Sequence, residues 1–218
     1  DFITLDAAGT ATLTTPVLTT NSTYTLVSVQ TNGTPNCSQT VVGSATITVK
    51  ALPTASISGS TTICSGTTAV ITFTGTANAT VTYTDYLGAN QTINLDATGT
   101  ATLTTPVLTA DATYTLVSVA SNGTPNCSAT VVGSATITIK ALPTASISGA
   151  TTICSGDTAT ITFTGTADAT VTYTVDSGSN QSITLDAAGT ATLITPVLTI
   201  NCTYNLVRVD SNGTPNCG

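Results

Sequence analysis

Six cysteines and ten aspartates are the residues of this chain with specific chemistry to offer. Cys64 and Cys127 recur, at the same separation, as Cys154 and Cys217. A separation kept in two places reads as a disulfide inside each repeated unit, Cys64–Cys127 and Cys154–Cys217. Closing a loop of that length stabilises by about 4 kcal/mol in the chain-entropy picture. Such bonds persist in oxidising, extracellular surroundings. A reduced pair of small core residues is the alternative, and zinc is a poorer one, since CxxC spacing and histidine are both missing. Cys64 precedes the second strand expected below and Cys127 follows the sixth, so the bond is expected to staple one pole of a domain.

Two cysteines fall outside this scheme. The register partner of Cys37 lies upstream of Asp1. Cys202 stands where the other copies have Ser22 and Ala112. Three assignments stay open for it: a free thiol, a bond with Cys37 of another chain, or an error in the sequence.

Catalytic chemistry finds little to work with. Without histidine there is no Ser-His-Asp or Cys-His arrangement. Aspartates alone could form a glycosidase-like carboxylate pair, but Asp6, Asp96 and Asp186 each open an Asp-Ala-x-Gly stretch, where an Asx hydrogen bond that starts a turn explains them. Asp157, Asp168 and Asp176 occur together only in the last copy. Calcium takes roughly six to eight oxygens, and three scattered carboxylates do not supply them. The chain is not expected to be an enzyme, and no catalytic residue, metal or cofactor is expected apart from covalent glycan.

Charge narrows the partners. The net charge is −7, every acid is Asp, and the only bases are Lys50, Lys140 and Arg208, which argues against nucleic acid. No apolar run is long enough to span a bilayer. Hydropathy is positive and charge sparse, so something other than lysine and glutamate must keep the surface wet. Ten of the thirteen asparagines begin Asn-x-Ser/Thr. Asn21, Asn32, Asn78, Asn90, Asn122, Asn180, Asn201 and Asn212 are the candidate N-glycosylation sites, with Asn36 and Asn126 completing the set. The alternative is that Asn and Thr stand there for turns and strands.

The elements that must position these residues repeat with a period of 90. Ala51-Leu52-Pro53-Thr54-Ala55-Ser56-Ile57 returns as Ala141-Leu142-Pro143-Thr144-Ala145-Ser146-Ile147, and a fixed period of this size marks an array of one domain. Residues 51–140 form one complete copy. Residues 1–50 match the second part of a copy (91–140), and residues 141–218 match 51–128, without a last strand. Two readings follow: a window from a longer polypeptide, or a subunit whose last domain is completed when residues 40–49 of a neighbour stand in for 130–139. Ile139-Lys140 runs almost directly into Ala141-Leu142-Pro143. Pro143 fixes its own φ and pushes Leu142 toward extended geometry, so a stiff joint is expected.

Within the complete copy, period-2 alternation of apolar residues with threonine marks seven strands, at residues 54–58, 69–74, 80–84, 92–95, 100–108, 113–119 and 134–139. The expected fold is all-β: tandem antiparallel β-sandwiches of about seven strands each, stacked end to end.

The stretch Leu108-Thr109-Ala110-Asp111-Ala112-Thr113-Tyr114-Thr115-Leu116-Val117-Ser118-Val119, followed by Asn122-Gly123 and with counterparts at residues 18–29 and 198–209, resembles the tyrosine-corner region of immunoglobulin and fibronectin type III domains. That resemblance implies a backbone hydrogen bond from Tyr24, Tyr114 and Tyr204. The elements Thr61-Thr62-Ile63-Cys64-Ser65-Gly66, Val81-Thr82-Tyr83-Thr84 and Ser121-Asn122-Gly123-Thr124-Pro125-Asn126-Cys127 resemble the Ig-like or PKD-like tandem repeats of large secreted surface proteins of the Bacteroidota. By that resemblance Asp157-Thr158-Ala159 is an O-glycosylation triplet with Thr158 as acceptor, although Thr67 replaces Asp157 in the middle copy. The function expected is structural: an extracellular filament or cell-surface stalk whose partners are copies of itself, head to tail. The second reading is an adhesin or module that binds surface glycans, for which Tyr86 is the one exposed aromatic candidate.

Overall fold

The computed structural model describes residues 1–218. It is all-β, with no helix and nineteen strands. Backbone contacts divide it into two units, residues 1–52 with 123–127, and residues 53–122 with 128–218.

The first unit holds two short ladders. β1 (Ser22–Thr25) pairs antiparallel with β4 (Ser44–Ile47), and β2 (Ser28–Gln30) with β3 (Ser38–Thr40). Its apolar side chains are largely open to water, with Ile47 38% and Val42 97% exposed.

The second unit holds two copies of the repeat. In the complete copy the strands are β5 (Ala55–Ser58), β6 (Thr61–Cys64), β7 (Val70–Gly75), β8 (Thr80–Thr84), β9 (Asn90–Asn94), β10 (Thr100–Thr104), β11 (Ala112–Ala120), β12 (Ser128–Thr130) and β13 (Ser134–Lys140). One sheet runs β10-β7-β5. The other runs β6-β13-β11-β8-β9, with β12 also on β11. The inward residues of both sheets meet in one core containing Ile71, Phe73, Val81, Tyr83, Tyr114 and Ile137, the arrangement of a β-sandwich. Ala112, Tyr114 and Leu116 point inward at alternate positions. A bulge between Leu116 and Ser118 then adds one residue and returns Val119 to the core. All seven expected strands are present, although the one expected over 100–108 ends at Thr104, with Leu108 in an isolated bridge to Thr67.

Two strands were not expected. β12 is three residues long, and β6 runs parallel to β13, pairing Ile137 with Thr61 and Lys140 with Cys64. Close main-chain approaches fix two turns. A Cβ on Gly75 would lie 2.1 Å from the Thr54 carbonyl oxygen, and one on Gly99, at φ +78°, would lie 2.2 Å from that of Gly75.

The following copy contains β14 (Ala145–Ser148), β15 (Thr160–Gly165), β16 (Thr170–Val175), β17 (Gln181–Thr184), β18 (Thr190–Ile194) and β19 (Tyr204–Asp210), in sheets β14-β15-β18 and β17-β16-β19. Its core is smaller, around Phe163, Val171, Tyr173 and Leu185. Residues 151–154 have the same sequence as β6 yet form no strand. The cause is the ladder partner: β6 is held by β13, and residues 141–218 contribute no counterpart of β13. No helix is long and apolar enough to cross a membrane.

Candidate functional site at the repeat joint

The first cysteine of a repeat sits at the end of β6, beside Lys140 at the end of β13. The chain leaves β13 for the next repeat there, so Cys64 lies at the exit pole. β19, the counterpart of β11, ends at Asp210, and the second cysteine is held just beyond it. Ser211 N–H donates to the Cys217 carbonyl at 2.7 Å, and Cys217 N–H donates to Ser211 Oγ at 3.0 Å. Because β11 runs antiparallel to β13, a strand of this kind ends at the entry pole. The exit pole of one repeat faces the entry pole of the next.

The disulfide forms across that joint. Cys64 is bonded to Cys217, with Cα atoms 5.6 Å apart and a sequence separation of 153. This corrects the two bonds expected from the sequence: Cys64 is not joined to Cys127, nor Cys154 to Cys217. The parallel placement of β6 puts the first cysteine at the far pole from the strand end that carries the second. Cys217 is buried and Cys154 exposed. Cys37 is a free, exposed thiol, and Cys202 is free and half-buried.

A lysine completes the joint. Lys140 Nζ donates to the main-chain oxygens of Asn212 and Pro215, both at 2.9 Å. In the first unit Lys50 Nζ donates in the same way to the Pro125 oxygen at 2.9 Å. The acceptor loop is Asn-Gly-Thr-Pro-Asn-Cys, with a cis peptide at Thr124-Pro125 and at Thr214-Pro215. Two of the chain's three bases therefore serve the same local purpose. Charge-assisted hydrogen bonds of this kind are the strong ones.

The Asx reading of the aspartate turns holds. Asp96 Oδ1 accepts from the main-chain N–H of Thr98 at 2.8 Å and of Thr100 at 2.9 Å, and Asp6 and Asp186 repeat the pattern. The Thr98 hydroxyl and the Thr100 N–H lower the Asp96 carboxyl to about 2. Asp168 occupies a turn at φ 59°, and Asp176 accepts from Thr203 N–H at 2.7 Å. Asp157 forms an isolated bridge with Leu198. No group of three acidic or cysteine side chains is placed to hold a metal ion.

The tyrosine corner is not made at Tyr114. Its ring is 2% exposed and its hydroxyl is buried with no hydrogen-bond partner. The ring packs instead at a tilt against Tyr83 and Tyr86, at centroid distances of 6.3 and 5.9 Å. Burial first, then Tyr86, Tyr83 and Asp85, push its phenol up to about 12. Tyr24 lies exposed on β1, and Tyr204 is half-buried on β19. Tyr86, the glycan-binding candidate, is 41% exposed with its ring against Tyr114.

Every candidate N-glycosylation residue is exposed, as is Thr158. They are not equivalent. The amide nitrogens of Asn122 and Asn212 donate to the main-chain oxygens of Asn78 and Asp168, so these two side chains brace positive-φ turns with the atom that would carry sugar. Asn21 and Asn90 engage their oxygens instead, accepting from Val49 N–H at 2.8 Å and from the Thr84 hydroxyl at 3.1 Å.

No family model matches the chain, and no curated protein matches it.

Proposed function

We propose that the chain is a structural segment of an extracellular filament or cell-surface stalk, built from glycosylated Ig-like repeats set in series. The observation that carries this reading is the Cys64–Cys217 bond, which joins one repeat to the next. A bond within a repeat protects that repeat alone. A bond across the joint gives tension a covalent path past the cores it encloses, and it limits bending at the joint. Lys140 adds a polar clasp at the same joint. Disulfides of this kind belong to oxidising compartments, which supports a place outside the cell. Exposed asparagines with an unoccupied amide nitrogen, such as Asn21 and Asn90, are the glycan acceptors we assign, with Asn122 and Asn212 left to their turns. No catalytic role is proposed.

Single-molecule stretching tests this reading. With the bond intact, the 153-residue interval should not extend. Reduction should release roughly 500 Å of additional contour, from about 3.4 Å per residue. Release of two separate intervals near 200 Å each, the mark of a bond inside each repeat, would contradict it.

A further inference from the structure

The sheet β17-β16-β19 carries the only arginine of the chain. Thr172 of β16 is paired with Ser182 of β17 on one side and with Arg208 of β19 on the other. Val171 and Tyr173, on either side of Thr172, are buried. Alternation therefore turns Thr172, Ser182 and Arg208 together away from the core. With Asn180 and Gln181 they line an open groove of about 460 Å³. Its walls are these three strands and the residue just before β17, on the side of β19 that β16 already pairs.

Asp210 holds the arginine. Asp210 Oδ2 accepts from Arg208 Nε at 2.8 Å, and the Asp210 side chain is 16% exposed against 67% for Arg208. A carboxylate that takes Nε leaves the donors of the terminal nitrogens for a further acceptor. The pair is peculiar to this copy. Ser118 and Ala120 stand at these positions in the complete repeat, and Ser28 and Gln30 in the first. The rest of the wall keeps its character: Thr172, Asn180, Gln181 and Ser182 correspond to Thr82, Asn90, Gln91 and Thr92. An exposed ion pair adds little to stability, so holding the sheet together does not account for it.

An acceptor can reach the groove by covalent attachment. Asn180 opens the sequon Asn180-Gln181-Ser182, is exposed, and lines the same groove as Arg208. A sugar on its amide nitrogen starts at the rim.

We propose that this groove seats the glycan carried by Asn180. The proximal sugars lie across Thr172 and Ser182, and the terminal nitrogens of Arg208 donate to their hydroxyl and carbonyl oxygens. A ligand on a short tether is present at roughly millimolar effective concentration, so weak contacts suffice to hold it. The seated glycan covers β17, an edge strand that has no charge and no proline of its own, and shields that edge from pairing with another chain. The proposal rests on the glycosylated reading above.

The complete repeat supplies the control, since Asn90 opens a sequon at the same place without the ion pair. The full chain is secreted from a eukaryotic cell that attaches N-linked glycans. A glycoamidase then acts on the folded protein, and mass spectrometry follows release at each site through the aspartate left behind. Arg208→Ser with Asp210→Ala installs the residues of the complete repeat. It should speed release at Asn180 about fivefold, the ratio that a contact of about 1 kcal/mol gives. Ser118→Arg with Ala120→Asp transplants the pair. It should slow release at Asn90 by the same factor and leave Asn180 as it was. Both variants use residues that another copy carries at the same place, so folding is spared. An Asn180 rate that the first variant does not change, or an Asn90 rate that the transplant does not change, would overturn the seating and leave the glycan reading standing. A chain with glycan at other sequons and none at Asn180 would likewise overturn the seating alone. A chain with glycan nowhere would overturn both.

Discussion

The ammonium of Lys140, the last residue of one repeat, donates to the main-chain oxygen of Pro215 in the next at 2.9 Å, and the same nitrogen reaches the Asn212 oxygen at 2.9 Å. Both acceptors belong to the loop that carries Cys217. Lysine and disulfide thus grip one loop from one side, and the lysine holds it in the position the bond requires.

Replacing Lys140 with methionine keeps most of the stem and removes the donor. Hydrogen bonds to charged groups contribute about 1.5–3 kcal/mol each, and part of this is recovered by water at an open site. The expected loss is about 1–2 kcal/mol in urea unfolding, seen in the transition of the second unit. The reduced protein should lose more than the oxidised one, because the disulfide no longer holds the loop. Equal losses in both states would show that the two contacts act independently.

Tyr114 supplies a sharper test. A tyrosine whose hydroxyl anchors a corner loses stability when the hydroxyl is removed. Here the hydroxyl is buried and has no partner, so its burial is a cost. Tyr114→Phe should be neutral or stabilising by up to about 1 kcal/mol in thermal or urea unfolding. A clear destabilisation would restore the corner hydrogen bond.

The pH dependence has two limbs. Asp96 titrates near 2 when folded, below the ordinary value of 3.8. Its contribution is therefore full above about 4 and is lost as pH falls toward 2. Tyr114 titrates near 12 when folded, above 10. Its contribution is full below about 10 and is lost as pH rises toward 12. The melting temperature should be flat between these limits and fall at both ends. Asp96→Asn should make the acid limb shallower without removing it, since Asp6, Asp85 and Asp186 are lowered as well, and should leave the alkaline limb unchanged. Tyr114→Phe should make only the alkaline limb shallower, since Tyr83 and Tyr204 are raised as well.

Strand content was largely legible because alternation at spacing two is a local signal. Residues 80–84, with Val81 and Tyr83 inward, form β8 at those bounds. β6 was not legible, and its twin at residues 151–154 shows why. The same four residues are a strand where β13 lies alongside and irregular where it does not. Their conformation is decided by a partner more than seventy residues away in sequence. Cysteine pairing was hidden by periodicity itself. Moving one partner by a full period of 90 leaves every spacing in the array unchanged, so Cys64–Cys127 and Cys64–Cys217 are indistinguishable by register. Only the pole at which each cysteine emerges decides, and that depends on β6 running parallel to β13. Lys50 and Lys140 did carry a readable signal: two of three bases stand at the same point of the repeat.

Peptide mapping by mass spectrometry of the unreduced protein, with free thiols first blocked by alkylation, reads the link between repeats directly. We expect a single cross-linked species joining the peptide that contains Cys64 to the one that contains Cys217, with Cys37 and Cys154 recovered alkylated. Recovery of Cys64 joined to Cys127 and of Cys154 joined to Cys217 would mean that each repeat is closed on itself, and would contradict a chain held together across its joints.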